Sequence, residues 1–470
     1  MQKGNSDMSA QTAAVRRTAD LCTGPFFKKI VLYTLPIIAT GLLQLLFNAA
    51  DLVVVGRYAG KEAVAAVGAT GALINLIVNL FVGLSVGSGV LVAQGIGAGD
   101  DDMVHRTVHT SFPAAFFGGI LLTFVGVGFA PSLLHLMDTP DDVINLSALY
   151  MRIYFAGIIP MLLYNFGASI LRAAGDTKSP LIFLSIAGVV NVVLNLVFVT
   201  QFHMSVAGVA LATALSQLLS CVLVLIKLTR RQDACRLMWR KLKIYPSALW
   251  KIARIGLPAG IQGSLFSISN VIIQSSINGF GSVAMSGNAS AGNIEGFVYV
   301  SMNAFHQTAM NFMGQNMGAR KYENFGKILR ICLLSVGTVG IVLGGGCYLF
   351  AEQLLSIYLG TEVEAIAYGI TRMSYVCLTY FLCGLMDVMS GMLRGMGASL
   401  VPMLVTVLGV CGMRLGWIFT IFQMEGYHTL PCLYISYPIS WIVTFAALLI
   451  CFLVLKRRLA KRVAVAAQAV

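Results

Sequence analysis

Three carboxylates fall inside long apolar stretches of this chain: Asp51, Glu295 and Asp387. An ionised acid in hydrocarbon costs several kcal/mol, so each is a candidate functional group unless a neighbour pairs with it. Asp51 stands in LPIIATGLLQLLFNAADLVVVGRYAG, residues 35–60, six residues before Arg57, where the apolar run ends. At ~1.5 Å per residue it lies ~9 Å inside the membrane boundary. A carboxyl at that depth can take up and release a proton or bind Na+, or it can snorkel to outer water as a helix-end acid. Glu295 and Asp387 share their half of the chain with Arg414. Each is therefore either a site for a proton or a substrate cation, or the partner of Arg414 in a structural pair. His306 would titrate near neutral pH in water, but a single histidine on an apolar helix also serves as hydrogen-bonded packing. Asp51, Glu295, Asp387 and His306 form the candidate substrate-binding set.

Asn191 and Asn195 lie in an apolar run that ends near Thr200, so Asn195 reaches a depth close to that of Asp51. Amides can hydrogen-bond a carboxyl in either protonation state, give oxygen ligands to a hard cation, or simply join helices. Pro36 and Pro258 occupy equivalent places in two long runs. Each removes a helical hydrogen bond, as a static kink or as a hinge.

Enzyme chemistry finds little support. GLSVG at residues 83–87 has the GxSxG form of a serine nucleophile, but it lies in a helical run rather than at a strand-to-helix turn. No GxxxxGK[ST] phosphate loop is present, and the ten cysteines make no CxxC or Cys/His ligand spacing. The chain is expected to be no enzyme, to need no cofactor beyond a coupling ion, and to hold no metal except a possible Na+ at Asp51.

Composition sets the scaffold. Hydrophobic residues make up 57% of 470 and charged residues 11%, far too apolar for a water-soluble core and suited to a multi-span bundle. Twelve runs of spanning length occur at roughly 30–56, 63–94, 112–136, 148–171, 180–200, 206–227, 250–280, 284–314, 330–356, 367–393, 401–423 and 433–455. Basic residues gather on one side, at Lys28, Lys29, Arg172, Lys178, Arg320, Lys321, Lys327 and Arg330, in the 228–249 linker and after residue 455. The opposite side carries Asp138, Glu352, Glu362 and Glu425, with Arg57, Lys61 and Arg372 as its cations. The positive-inside rule then puts both termini in the cytoplasm. It also accounts for most of the net charge of +13, with some attraction to anionic lipid and no call for nucleic acid.

An internal repeat divides the chain. Leu35-Pro36 recurs as Leu257-Pro258, Gly60 as Gly281, Gln94 as Gln315, Gly97 as Gly318, and Leu171-Arg172 with Gly175 as Leu393-Arg394 with Gly397, at shifts of 221–222. Six helices separate the copies, so both have the same orientation. The expected fold is an all-α integral membrane protein of twelve transmembrane helices in two pseudo-symmetric six-helix lobes, their axis along the membrane normal. The divisions are a cytoplasmic tail 1–25, lobes 26–227 and 250–455, a basic linker 228–249 and a tail 456–470.

The runs LFNAADLVVVGRYAG, VAQGIGAGD, ILRAAGDTKSP, VVNVVLNLVF and NIEGFVYVSMNAFHQTAMNFMGQNMGAR resemble the multidrug and toxic compound extrusion (MATE) family, in its bacterial DinF-like branch. The resemblance implies a bacterial inner-membrane antiporter, working as a monomer, that expels cationic or amphipathic compounds in exchange for H+ or Na+. Asp51 stands in the place of the family's coupling acid, and Asn191, Asn195, Tyr150 and Thr213 at places similar to its polar network. Many relatives carry a second acid where this chain has Asn195. The nearest rival is a flippase for lipid-linked oligosaccharide, whose diphosphate would want several arginines. The sequence offers three intramembrane acids to one arginine, which favours a cationic substrate.

Overall fold

The computed structural model describes residues 20–135 and 141–468. Asp138 and tail residues 1–19 and 469–470 lie outside them. The described residues fold almost wholly into helices: α1 Phe26–Tyr58, α2 Lys61–Ala98, α3 Asp101–Gly128, α5 Lys178–Leu196, α6 Ser205–Thr229, α7 Pro246–Asn278, α8 Ser282–Gly318, α9 Asn324–Leu349 and α12 Leu430–Gln468. The fourth crossing, α4, breaks into Asp141–Ala156 and Ile158–Ala173, bent by 49°. The tenth, α10, breaks into Val363–Tyr375 and Tyr380–Gly395, bent by 47°. In α11, Leu400–Thr406 and Met413–Phe419 flank a π-helical stretch Val407–Gly412.

Eleven of these twelve crossings are long and apolar enough to span a bilayer, counting each bent pair once. The twelfth, α8, has the length at 37 residues but not the hydropathy. It carries Asn288, Asn293, Glu295, Asn303, His306, Gln307, Asn311 and Gln315, and such a helix enters a membrane only by turning its polar face to other helices.

The repeat has a physical basis in turns. Gly60 and Gly281, which open α2 and α8, both have positive φ, 91° and 95°. Gly175 and Gly397 end α4 and α10 at φ 87° and 86°. At each, the N–H of the next residue reaches back to a carbonyl five residues earlier, Asp176 to Leu171 at 2.9 Å and Ala398 to Leu393 at 3.0 Å. That helix stop needs a left-handed residue, which glycine supplies without strain.

Two compact units are present. One comprises Leu46–Gly260 with Gly314–Arg320 and the described residues before Pro25; the other comprises Pro25–Leu45, Ile261–Met313 and the chain from Lys321 onward. The long helices α1 and α7 are thus divided between units and run unbroken through Pro36 and Pro258.

Within the first unit, α2 crosses the start of α7 backbone to backbone. A Cβ on Gly83 would stand 2.3 Å from the Gly260 nitrogen, and one on Gly87 2.3 Å from the Ile252 carbonyl. Gly256 and Gly260 face them equally closely. GLSVG is therefore one side of a reciprocal GxxxG crossing. Ser85 donates to the Val82 carbonyl at 2.6 Å in its own helix, so the serine-nucleophile motif is packing. The 228–249 segment, read as a connector between lobes, is docked on this unit. Met238 N–H donates to His109 Nε2 at 3.1 Å, Tyr245 N–H to Thr110 at 3.1 Å, and Cys235 and Leu237 are buried against Val104 and Val108.

Candidate functional site

Asp51 is placed by small residues. Phe47, one turn earlier on α1, lies so close to Gly188 of α5 that a Cβ there would fall 1.8 Å from its ring. Val54 and Val55, three and four residues after Asp51, are buried against Ala63, Ala66, Val199, Val206 and Val209. Residues at these spacings share a helix face. The face carrying Asp51 consequently turns toward α5 and α6.

There Asn195 Nδ2 donates to Asp51 Oδ1. The same nitrogen lies 3.4 Å from Asn191 Oδ1, and Asn191 Nδ2 donates to Thr213 Oγ1 at 3.5 Å, a long bond. The chain of contact thus runs Asp51, Asn195, Asn191, Thr213 across three helices. Asn195 is fully buried, and its Oδ1 has no hydrogen-bond partner among the described residues. A buried orphan carbonyl oxygen beside a carboxylate is costly unless a proton donor or a cation visits it. Tyr150 packs at the edge of the same valine cluster and stacks on Tyr154 with ring centroids 6.2 Å apart.

The second unit holds a different arrangement. Glu295 is not paired with Arg414. Its two oxygens accept from Arg372 Nε at 3.0 Å and Nη2 at 2.7 Å, a bidentate ion pair in which Glu295 is buried and Arg372 only slightly exposed. Arg372 Nη1 also donates to Asn288 Oδ1 at 2.7 Å, which accepts from Tyr434 as well at 3.1 Å. Arg372, expected near the outer loops, instead lies in the last turn of the first half of α10 and is held inward by Glu295 and Asn288.

Arg414 is likewise buried. Nε donates to Ser440 at 3.0 Å, the guanidinium lies 3.9 Å from the Tyr437 ring centre and 5.4 Å from that of Trp441, and Nη2 has no hydrogen-bond partner among the described residues. His306 Nδ1 sits 2.8 Å from the Asp387 backbone carbonyl, and Arg394 Nη1 3.3 Å from its Nε2. A carbonyl on one side and a guanidinium on the other hold the neutral Nδ1–H ring. Arg394 also donates to Gln262 at 2.7 Å. The Asp387 side chain makes no hydrogen bond or ion pair among the described residues.

Two arginines were missed as interior groups. Arg394 repeats Arg172, a loop residue by sequence, and Arg372 lies near the end of an apolar run. With them included, the three interior acids are equalled in number by three interior arginines, so the three-to-one excess read from sequence does not hold.

The family model described as MatE matches twice, over residues 36–197 and 258–418. The chain belongs to the MatE family. It is 27% identical over 427 residues to the probable multidrug resistance protein YoeA of Bacillus subtilis (strain 168), covering 89% of this chain and 91% of that protein. To the probable multidrug resistance protein NorM of Thermotoga maritima it is 26% identical over 399 residues, 83% of this chain and 84% of the relative. A solved structure described as the outward-facing conformation of a multidrug resistance MATE family transporter of the MOP superfamily superimposes with TM-score 0.86. It is 23% identical and covers 95% of this chain and 98% of its own, a likeness of fold.

The two MatE matches begin at the two prolines, Pro36 and Pro258, and are of nearly equal extent, as a duplicated six-helix lobe requires. The first match contains Asp51, Tyr150, Asn191 and Asn195, and the second Glu295, His306, Asp387 and Arg414. Thr213 lies just beyond the first. Among the described residues no three His, Cys, Asp or Glu side chains converge, so any cation at Asp51 would be held by one carboxylate with amide and hydroxyl oxygens.

Proposed function

We propose that this MatE protein is a secondary antiporter of the bacterial inner membrane, with both termini in the cytoplasm, exporting cationic or amphipathic organic compounds in exchange for H+ or Na+. One observation carries the proposal: Asp51 lies against Asn195, whose buried carbonyl oxygen lacks a partner among the described residues. An amide can present N–H to an ionised carboxylate or C=O to a protonated one, so the pair is suited to both states of a cycle. A cation entering between them would meet the carboxylate and the orphan oxygen together. Loading Asp51 with a proton or Na+ cancels its charge, which weakens retention of a cationic substrate on the outer side. Reclosure carries the ion inward, with Pro36 and Pro258 as the hinges through which the loaded state would act.

Asp51→Asn should abolish ion-driven efflux of a fluorescent organic cation in inverted vesicles while leaving the purified protein folded. Efflux at the wild-type rate would remove Asp51 from the mechanism. Imposing pH and Na+ gradients separately identifies the ion.

A second reading, the flippase for lipid-linked oligosaccharide, draws on Arg394 and Arg414, which are buried with no carboxylate bonded to either among the described residues. A reconstituted protein that moves lipid-linked sugar and no organic cation would select it.

A further inference from the structure

In the second unit α1 and α9 leave a groove of about 320 Å³ between them, floored by Thr34 and Phe305 and walled by Val31, Leu35, Ile331 and Leu334. The floor is closed: Thr34 Oγ1 donates to the Ile30 carbonyl at 2.7 Å and lies 2.9 Å from Thr308 Oγ1, and Phe305 is buried. The rim is open, with Leu334 72% exposed. The groove faces outward from the unit.

Its length is set by helical rise. Lining residues run from Phe27 to Ile38 on α1, eleven residues or about 16 Å. One leaflet of a hydrocarbon core is about 15 Å deep. The slot is as long as one extended acyl chain.

One end is basic. On α9 the lining stripe continues one turn toward the N-terminus as Lys327 and Arg330, each four residues before a lining residue. On α1, Lys28 shares a face with Val31 and Leu35. All three cations are exposed, and none enters a salt bridge among the described residues. The far end offers only apolar side chains and the Thr338 hydroxyl, which is bonded to the Leu334 carbonyl.

We propose that this groove binds one anionic phospholipid of the leaflet that meets the basic loops, its acyl chain against Thr34 and Phe305 and its phosphate between Lys28, Lys327 and Arg330. The argument needs only that the helices span a membrane, so it stands apart from the transport reading. The lipid would be held as a fixed part of the α1–α9 seam.

Native mass spectrometry of the purified protein, delipidated and given equal amounts of palmitoyl-oleoyl phosphatidylglycerol and phosphatidylcholine, tests it. One phosphatidylglycerol should be retained about tenfold or more over phosphatidylcholine, since each cation contributes to the attraction. The triple variant Lys28→Gln/Lys327→Gln/Arg330→Gln should lose that preference. Ser335→Phe, which fills the groove, should lower retention of both lipids. Equal retention of the two lipids by the wild type, or wild-type retention by either variant, would overturn the proposal. Displacement of lipid by an organic cation, with no headgroup preference, would make the groove a substrate entry and overturn it equally.

Discussion

A carboxylate and a guanidinium removed from water together are tolerable only while both remain. Glu295 and Arg372 are such a pair, with two hydrogen bonds between them and a third from Arg372 to Asn288. Removing one partner leaves an uncompensated buried charge, at a cost of about 3–5 kcal/mol. Glu295→Gln should therefore lower the thermal midpoint of the detergent-purified protein markedly, while Glu295→Met combined with Arg372→Leu should recover most of the loss. Equal destabilisation by both would show that the pair acts through something beyond its charges. This pair was illegible in the sequence because its members lie 77 positions apart and Arg372 reads as a span-end cation. Asp51 was legible because an acid deep in an apolar run is conspicuous in any register. Asn195 was legible because depth counted along two helices placed it level with that acid.

Among the elements, the docked linker shows where reading by composition stops. A run of Arg and Lys after α6 looks like a solvated connector. Its apolar members Cys235 and Leu237 and the backbone N–H of Met238 instead fix it to α3. Arg231 Nε bonds both oxygens of Asp233 at 3.0 Å, which shapes the turn that buries Cys235. Burial, with Asp233 nearby, pushes the Cys235 thiol up to about 12. The thiolate is the reactive form, so at pH 8 the docked thiol should resist alkylation. His109→Leu removes the acceptor for the half-buried Met238 N–H, and a donor left unsatisfied there costs up to about 1 kcal/mol. Peptide-mapped labelling of Cys235 should then quicken, by less than about tenfold, through opening of the linker. Unchanged labelling would mean that packing alone holds it. GLSVG was already read as part of a helical run rather than a nucleophile turn; what the sequence did not show is its packing partner, since only the fold brings Gly256 and Gly260 against Gly83 and Gly87.

At the level of the whole molecule, duplication gives two lobes with the same backbone turns and different interiors. The glycine stops at 175 and 397 are matched, whereas Asn165 in the first half corresponds to Asp387 in the second, and among the described residues no arginine or lysine joins the hydrogen-bonded chain of Asp51, Asn195, Asn191 and Thr213. Under the proposed exchange the first lobe offers one titratable carboxyl to the coupling ion, since its neighbours Asn191, Asn195 and Thr213 cannot gain or lose a proton near neutral pH. One proton per cycle sets a ceiling. A difference of one pH unit is worth ~1.4 kcal/mol, a tenfold ratio, and with the membrane potential clamped at zero nothing else contributes. Proteoliposomes held at zero potential should accumulate a fluorescent cation to about tenfold for a one-unit pH step and about a hundredfold for two. Asn195→Asp, which adds a second carboxyl at the same place, should steepen this dependence if both acids load. A wild-type gradient that exceeds the one-proton ceiling would require a second proton carrier. The interior acid Asp387 of the second lobe is then the residue to remove next, and Asp387→Asn should bring the gradient back to that ceiling.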